Sequence, residues 1–142
     1  MEINAFIREQ FGIPSKDIRT YSPLTLAYIG DAVFDLIIRS LVVDKCNTQA
    51  NKLHQKTSAI VKAGTQATMI LALEPLLTPE ELEIYHRGRN AKSPTVAKNA
   101  SVADYRKATG FEAVMGYLYL TDQFDRALEL TKAGLSAVNI VI

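Results

Sequence analysis

Apolar residues recur at helical spacing along most of the chain, and the polar breaks between them carry helix-start signals. Ser22-Pro23 places a capping hydroxyl before a proline at the first helical position, where the missing N–H costs nothing. Thr78-Pro79-Glu80-Glu81 repeats the arrangement and adds a glutamate three residues after the cap, as in a capping box. Ser101, with Asp104 three residues on, is a weaker version. The pattern predicts helices over 2–11, 23–43, 48–61, 64–76, 79–89, 102–120 and 123–135. Alternating runs bounded by hairpin turns are missing from the sequence, so the expected fold class is all-α. Two segments lack the helical period. Residues 91–100, AKSPTVAKNA, combine a proline, small residues and two lysines and read as a loop. Residues 136–142, SAVNIVI, are apolar and β-branched, and the sequence leaves open whether they pack back on the domain or form a loose end.

A length of 142 residues is enough for one hydrophobic core and short for two. With Cys46 as the only cysteine, an intrachain disulfide and a zinc ribbon are both excluded. His54 and His86 are too far apart in sequence to read as a metal cluster. The opening MEINAFIREQF carries Glu2, Arg8 and Glu9 where a signal peptide needs an unbroken apolar run. The longest apolar reaches, such as LIIRSLVV, are broken by charge before they could span a bilayer. The expectation is a soluble cytoplasmic protein.

The net charge of +1 argues against a wholly basic nucleic-acid binder, but it hides an asymmetry. Residues 86–107 hold Arg87, Arg89, Lys92, Lys98, Arg106 and Lys107 against Asp104 alone, which makes this stretch +5 and leaves −4 for the remainder. Cations spaced along a loop, with Gly88 permitting close backbone approach, suit a phosphate backbone. The same residues also suit a solvated helix end, because a C-terminal dipole favours Arg87 and Arg89. On charge alone both readings stand.

The segment YIGDAVFDLIIRSLVV is apolar almost all round, with a narrow polar stripe at Asp31, Asp35 and Arg39, so most of this helix should be buried. Asp35 and Arg39 have the i,i+4 spacing of a solvent-facing pair. Asp31 differs because Gly30 precedes it, and a mid-helix glycine costs about 1 kcal/mol relative to alanine. Close approach of a second helix would explain it. The segment ATGFEAVMGYLYLT supplies a candidate, since Glu112 is its only charged residue and Gly116 lies one turn on. Packing through the two glycine faces would bring Asp31 and Glu112 together. Burying either acid alone is costly or forces protonation, and a divalent cation between them relieves that penalty. Alternatively, each acid sits at a helix edge and reaches water.

LAYIGDAVFDLIIR resembles the signature helix of the ribonuclease III catalytic domain, whose usual form is close to LEFLGDAVL. TGFEAVMGYLYL resembles that family's second acidic segment, usually DxFEAxxGAxYLD, and lies at a fitting distance after the first. The likeness runs from about Leu24 to about Leu128. KLHQKTSAIVKAGTQA, HRGRNAKS and KNASVADYR are similar to the mini-ribonuclease III branch, a stand-alone catalytic domain without the double-stranded RNA-binding module.

The resemblance implies a helical bundle forming a symmetric dimer, with one endonuclease domain over 1–135, a tail over 136–142 and no double-stranded RNA-binding domain. It implies a magnesium-dependent endoribonuclease, with manganese able to substitute, that cuts double-stranded RNA to 5′-phosphate and 3′-hydroxyl ends. The mini branch is associated with maturing 23S-type ribosomal RNA precursor, which points to a large-subunit ribosomal protein as a further partner. Carried over by residue, Asp31 and Glu112 are the catalytic, metal-holding acids, with water as nucleophile. Arg87, Arg89, Asn90, Lys92, Lys98 and Arg106 would grip RNA, whereas Tyr105 reads as core. Two departures matter: Ala27 stands where the family usually has a glutamate, and Thr109 where it has an aspartate. The Thr109 hydroxyl could still hold a metal-bound water. Their loss is also the best support for an alternative, a non-catalytic RNA-binding or scaffold protein built on a decayed domain. A helical protein–protein adaptor is a further rival that leaves both acids and the basic stretch unexplained.

Overall fold

The computed structural model describes residues 2–92 and 101–142, and these are helical throughout, without a strand among them. In chain order the helices are α1 (Ile3–Phe11), α2 (Pro23–Lys45), α3 (Ala50–Val61), α4 (Ala63–Leu73), α5 (Pro79–Asn90), α6 (Val102–Leu120) and α7 (Phe124–Ala137), with short 3-10 turns at Ile18–Thr20 and Glu74–Leu76. No helix among the described residues is long and apolar enough to cross a membrane.

The start signals act as the sequence predicts. The Thr25 N–H donates to Ser22 Oγ at 3.2 Å, and the Asp104 N–H donates to Ser101 Oγ at 3.0 Å. At α5 the capping box is complete: the Glu81 N–H donates to Thr78 Oγ1, and the Thr78 N–H donates to Glu81 Oε1. Glu81 is then locked by Arg126 of α7, which also donates to the Leu76 carbonyl. One predicted helix, 64–76, divides into α4 and the turn Glu74–Leu76. Pro75 is the reason, because inside an α-helix its ring clashes with a carbonyl one turn back. The 91–100 loop lies outside the described residues except for Ala91 and Lys92.

Helix α6 is the centre of the molecule, with α2, α4, α5 and α7 packed around it. Nine of its residues from Ala108 to Leu118 are buried, so it shows little of the one-sided pattern of a surface helix. Phe111 meets Phe34 of α2 edge-on, with ring centroids 5.1 Å apart. The C-terminal segment packs back on the domain: Val138, Ile140 and Ile142 lie against the main core, leaving Val141 exposed.

The crossing of α2 and α6 is set by two glycines. A Cβ on Gly30 would collide with the Glu112 carbonyl oxygen and lie 2.7 Å from the Gly116 nitrogen. A Cβ on Gly116 would collide with the Leu26 carbonyl oxygen. The two backbones are therefore in direct contact, which only residues lacking a side chain allow.

Candidate active site

This contact puts Asp31 and Glu112 side by side. Asp31 lies on the exposed edge of α2, and the adjoining Glu112 on α6 is largely withdrawn from water. Asp31 is within hydrogen-bonding reach of Glu112. Burial and the adjacent Asp31 carboxylate push the Glu112 carboxyl up to about 8, against a smaller opposing pull from the Gln66 amide. No ion pair among the described residues involves either acid. Asp35 and Arg39 do form the expected pair, at 2.7 Å, on the outer face of α2.

The structure adds Gln66, which the sequence pattern does not single out. This α4 residue is only 2% exposed, donates from Nε2 to the Val61 carbonyl at 2.8 Å, and reaches Glu112 Oε2 at 3.4 Å. Its one signal in the sequence is an isolated amide in the apolar helix AGTQATMILAL.

The two departures from the family pattern occupy different surroundings. Ala27 is buried with Leu26 and Ala113 in a small cluster between α2 and α6. Thr109 is buried and donates its hydroxyl proton to the Tyr105 carbonyl at 2.9 Å. No group of three or more His, Cys, Asp or Glu side chains able to hold a metal occurs among the described residues. Two neighbouring carboxylates without a countercharge nevertheless fit one hard divalent cation that keeps most of its water, as magnesium does. They offer fewer protein ligands than a four-carboxylate site would.

The expected RNA-gripping residues gather around the end of α5 and the start of α6. Arg87, Asn90, Lys92 and Arg106 are exposed, and Arg89 is half-buried. Arg89 has its guanidinium 5.5 Å from the centre of the Tyr85 ring and its Nε donating to Asn90 Oδ1. Lys92 and Arg106 line a cavity of about 350 Å³ together with Gly88, Tyr105 and Thr109. Tyr105 is thus half-buried on that wall rather than in the core. Lys98 lies outside the described residues.

The fold places an acid pair at a glycine-tight helix crossing, and comparison with known proteins identifies the family. The family model described as Ribonuclease III domain matches residues 24–123, and the chain belongs to the ribonuclease III family of endoribonucleases. Within that family it is similar to Mini-ribonuclease 3 of Clostridium tetani, 48% identical over 128 residues that cover 89% of this chain and 83% of the relative. It is 47% identical over 117 residues to Mini-ribonuclease 3 of Enterococcus faecalis, covering 81% of this chain and 89% of that protein. A crystal structure of a Fusobacterium nucleatum protein superposes with a TM-score of 0.78 at 30% identity, covering 86% of this chain and 98% of the other. These relatives place the chain in the mini branch.

Proposed function

We propose that this chain is a divalent-metal-dependent endoribonuclease that cuts double-stranded RNA with Asp31 and Glu112 as its catalytic acids. The observation that carries the reading is the convergence of these two carboxylates, one of them largely withdrawn from water, with no ion pair to either among the described residues. Asp31 and Glu112 would hold magnesium, or manganese in its place. A metal bound there supplies Lewis-acid activation of water and charge stabilisation at the scissile phosphate. Glu112 would have to give up its proton to hold a cation, and Asp31, exposed on the edge of α2, would hold the same ion from the solvent side. Hydrolysis with water as nucleophile leaves 5′-phosphate and 3′-hydroxyl ends.

Arg87, Arg89, Asn90, Lys92, Lys98 and Arg106 would hold the RNA backbone, and an A-form duplex is selected by shape and 2′-hydroxyl contacts rather than by base edges. A single catalytic domain acting as a homodimer fits the outer face of α2, where Tyr28, Leu36 and Val43 are 82%, 51% and 54% exposed. Three exposed apolar side chains flanking the Asp35–Arg39 pair suit a mixed apolar and polar contact with a second copy. The apolar pattern of α2 predicts burial for most of its surface, and this outer face is the part its own chain leaves uncovered. Similarity to the Mini-ribonuclease 3 proteins favours 23S-type ribosomal RNA precursor as the substrate in the cytoplasm, with a large-subunit ribosomal protein as a further partner.

The direct test is incubation with a long RNA duplex in magnesium and in EDTA. Cleavage to 5′-phosphate ends is expected in magnesium and none in chelator; cleavage that persists in chelator overturns the metal reading. The basic residues make a separate prediction, read from binding in EDTA. Arg87→Gln combined with Lys92→Gln should weaken RNA binding and flatten the slope of log K against log salt by about 0.7–0.9 for each phosphate that is no longer neutralised. An unchanged slope would show that these cations are ordinary solvated surface.

A further inference from the structure

Gln66, Glu81, Thr109 and Thr131, four of the five buried polar side chains among the described residues, meet different fates. Thr109 and Thr131 donate to carbonyls one turn back, and Glu81 is held by the capping box and by Arg126. Gln66 is half-satisfied. Its Nε2 has the Val61 carbonyl, whereas its Oε1 is buried with no hydrogen-bond partner among the described residues. A buried amide oxygen without a donor costs about as much as a lost hydrogen bond, and a leucine would fill the same space in an apolar helix without that cost.

The orientation of the amide is fixed. Turning it over would set Oε1 against the Val61 carbonyl oxygen and remove the 2.8 Å bond. In the orientation present, Nε2 is 3.4 Å from Glu112 Oε2. The two polar atoms of an amide are about 2.3 Å apart, so Oε1 lies within roughly 6 Å of Glu112 Oε2. One water making two hydrogen bonds of about 2.8 Å spans roughly 4.6 Å, which falls inside that limit.

We infer that Gln66 is a positioning residue of the acid pair: Nε2 holds Glu112 in place, and Oε1 accepts a hydrogen bond from a water that enters with a divalent cation. The inference rests on the metal reading proposed above. The α4 helix thereby contributes to a site whose ligands come from α2 and α6. This suits a centre with only two carboxylates, because hydrogen bonds to the ligands and to bound water must then fix what further carboxylates would otherwise fix. The competing role for Gln66 is structural only: a cap on the Val61 carbonyl at the end of α3.

Manganese binding to the RNA-free protein separates these roles. Free Mn2+ is followed by electron paramagnetic resonance for the native chain, Gln66→Met, Gln66→Asn and Glu112→Gln, each scaled to its folded fraction from circular dichroism. Methionine keeps the unbranched shape and removes both polar atoms; asparagine keeps the amide but draws it back by one methylene, and it carries the measurement if the methionine variant does not fold. Both are expected to bind Mn2+ at least about 10-fold more weakly than the native chain. Native affinity in the folded Gln66 variants, with binding lost in Glu112→Gln, would reduce Gln66 to the α3 cap and leave the metal reading standing. Native affinity in Glu112→Gln would overturn the metal reading and this inference with it.

Discussion

Glu112→Gln is expected to lower cleavage of double-stranded RNA about a thousandfold or more while making the metal-free protein more stable near pH 8. Both effects have one origin. The native carboxyl sits beside Asp31, away from water and without a countercharge, and its pKa is pushed up to about 8 from an ordinary 4.5. The unfolded chain therefore releases this proton near pH 4.5, and the folded chain keeps it until about pH 8. Across that window the folded state binds the extra proton, so stability falls as pH rises and the penalty is complete above the folded value. Each pH unit between the two values corresponds to about 1.4 kcal/mol, so this one carboxyl costs the metal-free fold a few kcal/mol in mild alkali. Glutamine has no proton to lose and removes the penalty. It also cannot serve as an anionic oxygen ligand, and a Lewis-acid site contributes several kcal/mol to the transition state, of which about four correspond to a thousandfold in rate.

The measurement is urea unfolding in EDTA at about pH 5, 7 and 9, paired with a cleavage assay. The native midpoint should drop with pH and that of Glu112→Gln should drop much less. Added magnesium should restore the native protein near pH 8, because the proposed site would exist only in the folded state, and should leave the variant unmoved. A variant that cleaves at the native rate, or shares the native pH dependence, would remove Glu112 from the site.

The sequence makes Asp31 and Glu112 visible through their neighbours more than through themselves. A glycine that weakens a buried helix needs a reason, and two of them beside isolated acids predict the α2–α6 contact that Gly30 and Gly116 make. The caps at Ser22 and Thr78 are equally legible, since each is a local arrangement that no tertiary contact has to complete. Gln66 is not legible. Its role depends on how α4 is rotated against α6, and a lone amide in an apolar helix has the same pattern whichever way it faces. The exposed side of α2 is hidden for a related reason: a helix apolar almost all round does not say which face its own chain covers, so its pattern assigns Tyr28 and Leu36 to neither side. The stacking of Arg89 on Tyr85 depends on side-chain geometry at the end of α5 that charge counting cannot see.

Gly30→Ala should be among the most damaging single-methyl additions in this protein, by about 3 kcal/mol or more. Helix propensity alone predicts the opposite sign, since alanine is favoured over glycine by about 1 kcal/mol inside a helix. Sterics reverse it. The added carbon would overlap the Glu112 carbonyl oxygen and lie 2.7 Å from the Gly116 nitrogen, and both are backbone atoms with no rotamer to turn aside. Relief requires α2 and α6 to separate, which opens a core holding Phe34 and Phe111 and adds packing loss to the usual cost of overfilling. Gly64→Ala on α4 is the matched control, because its added carbon would meet only Asp104 Oδ2 at 3.8 Å, an ordinary contact. That substitution should leave stability unchanged or raise it by about 0.5 kcal/mol. Denaturant midpoints of the two variants decide the point, and Gly116→Ala should follow Gly30→Ala because the Leu26 carbonyl oxygen stands in the same relation to it. Any Gly30→Ala protein that still folds should hold Asp31 farther from Glu112, so its stability should depend less on pH between about 5 and 8 and its cleavage should weaken in step. Full stability in Gly30→Ala would mean that the two backbones do not touch, and the convergence of the acids would lose its physical cause.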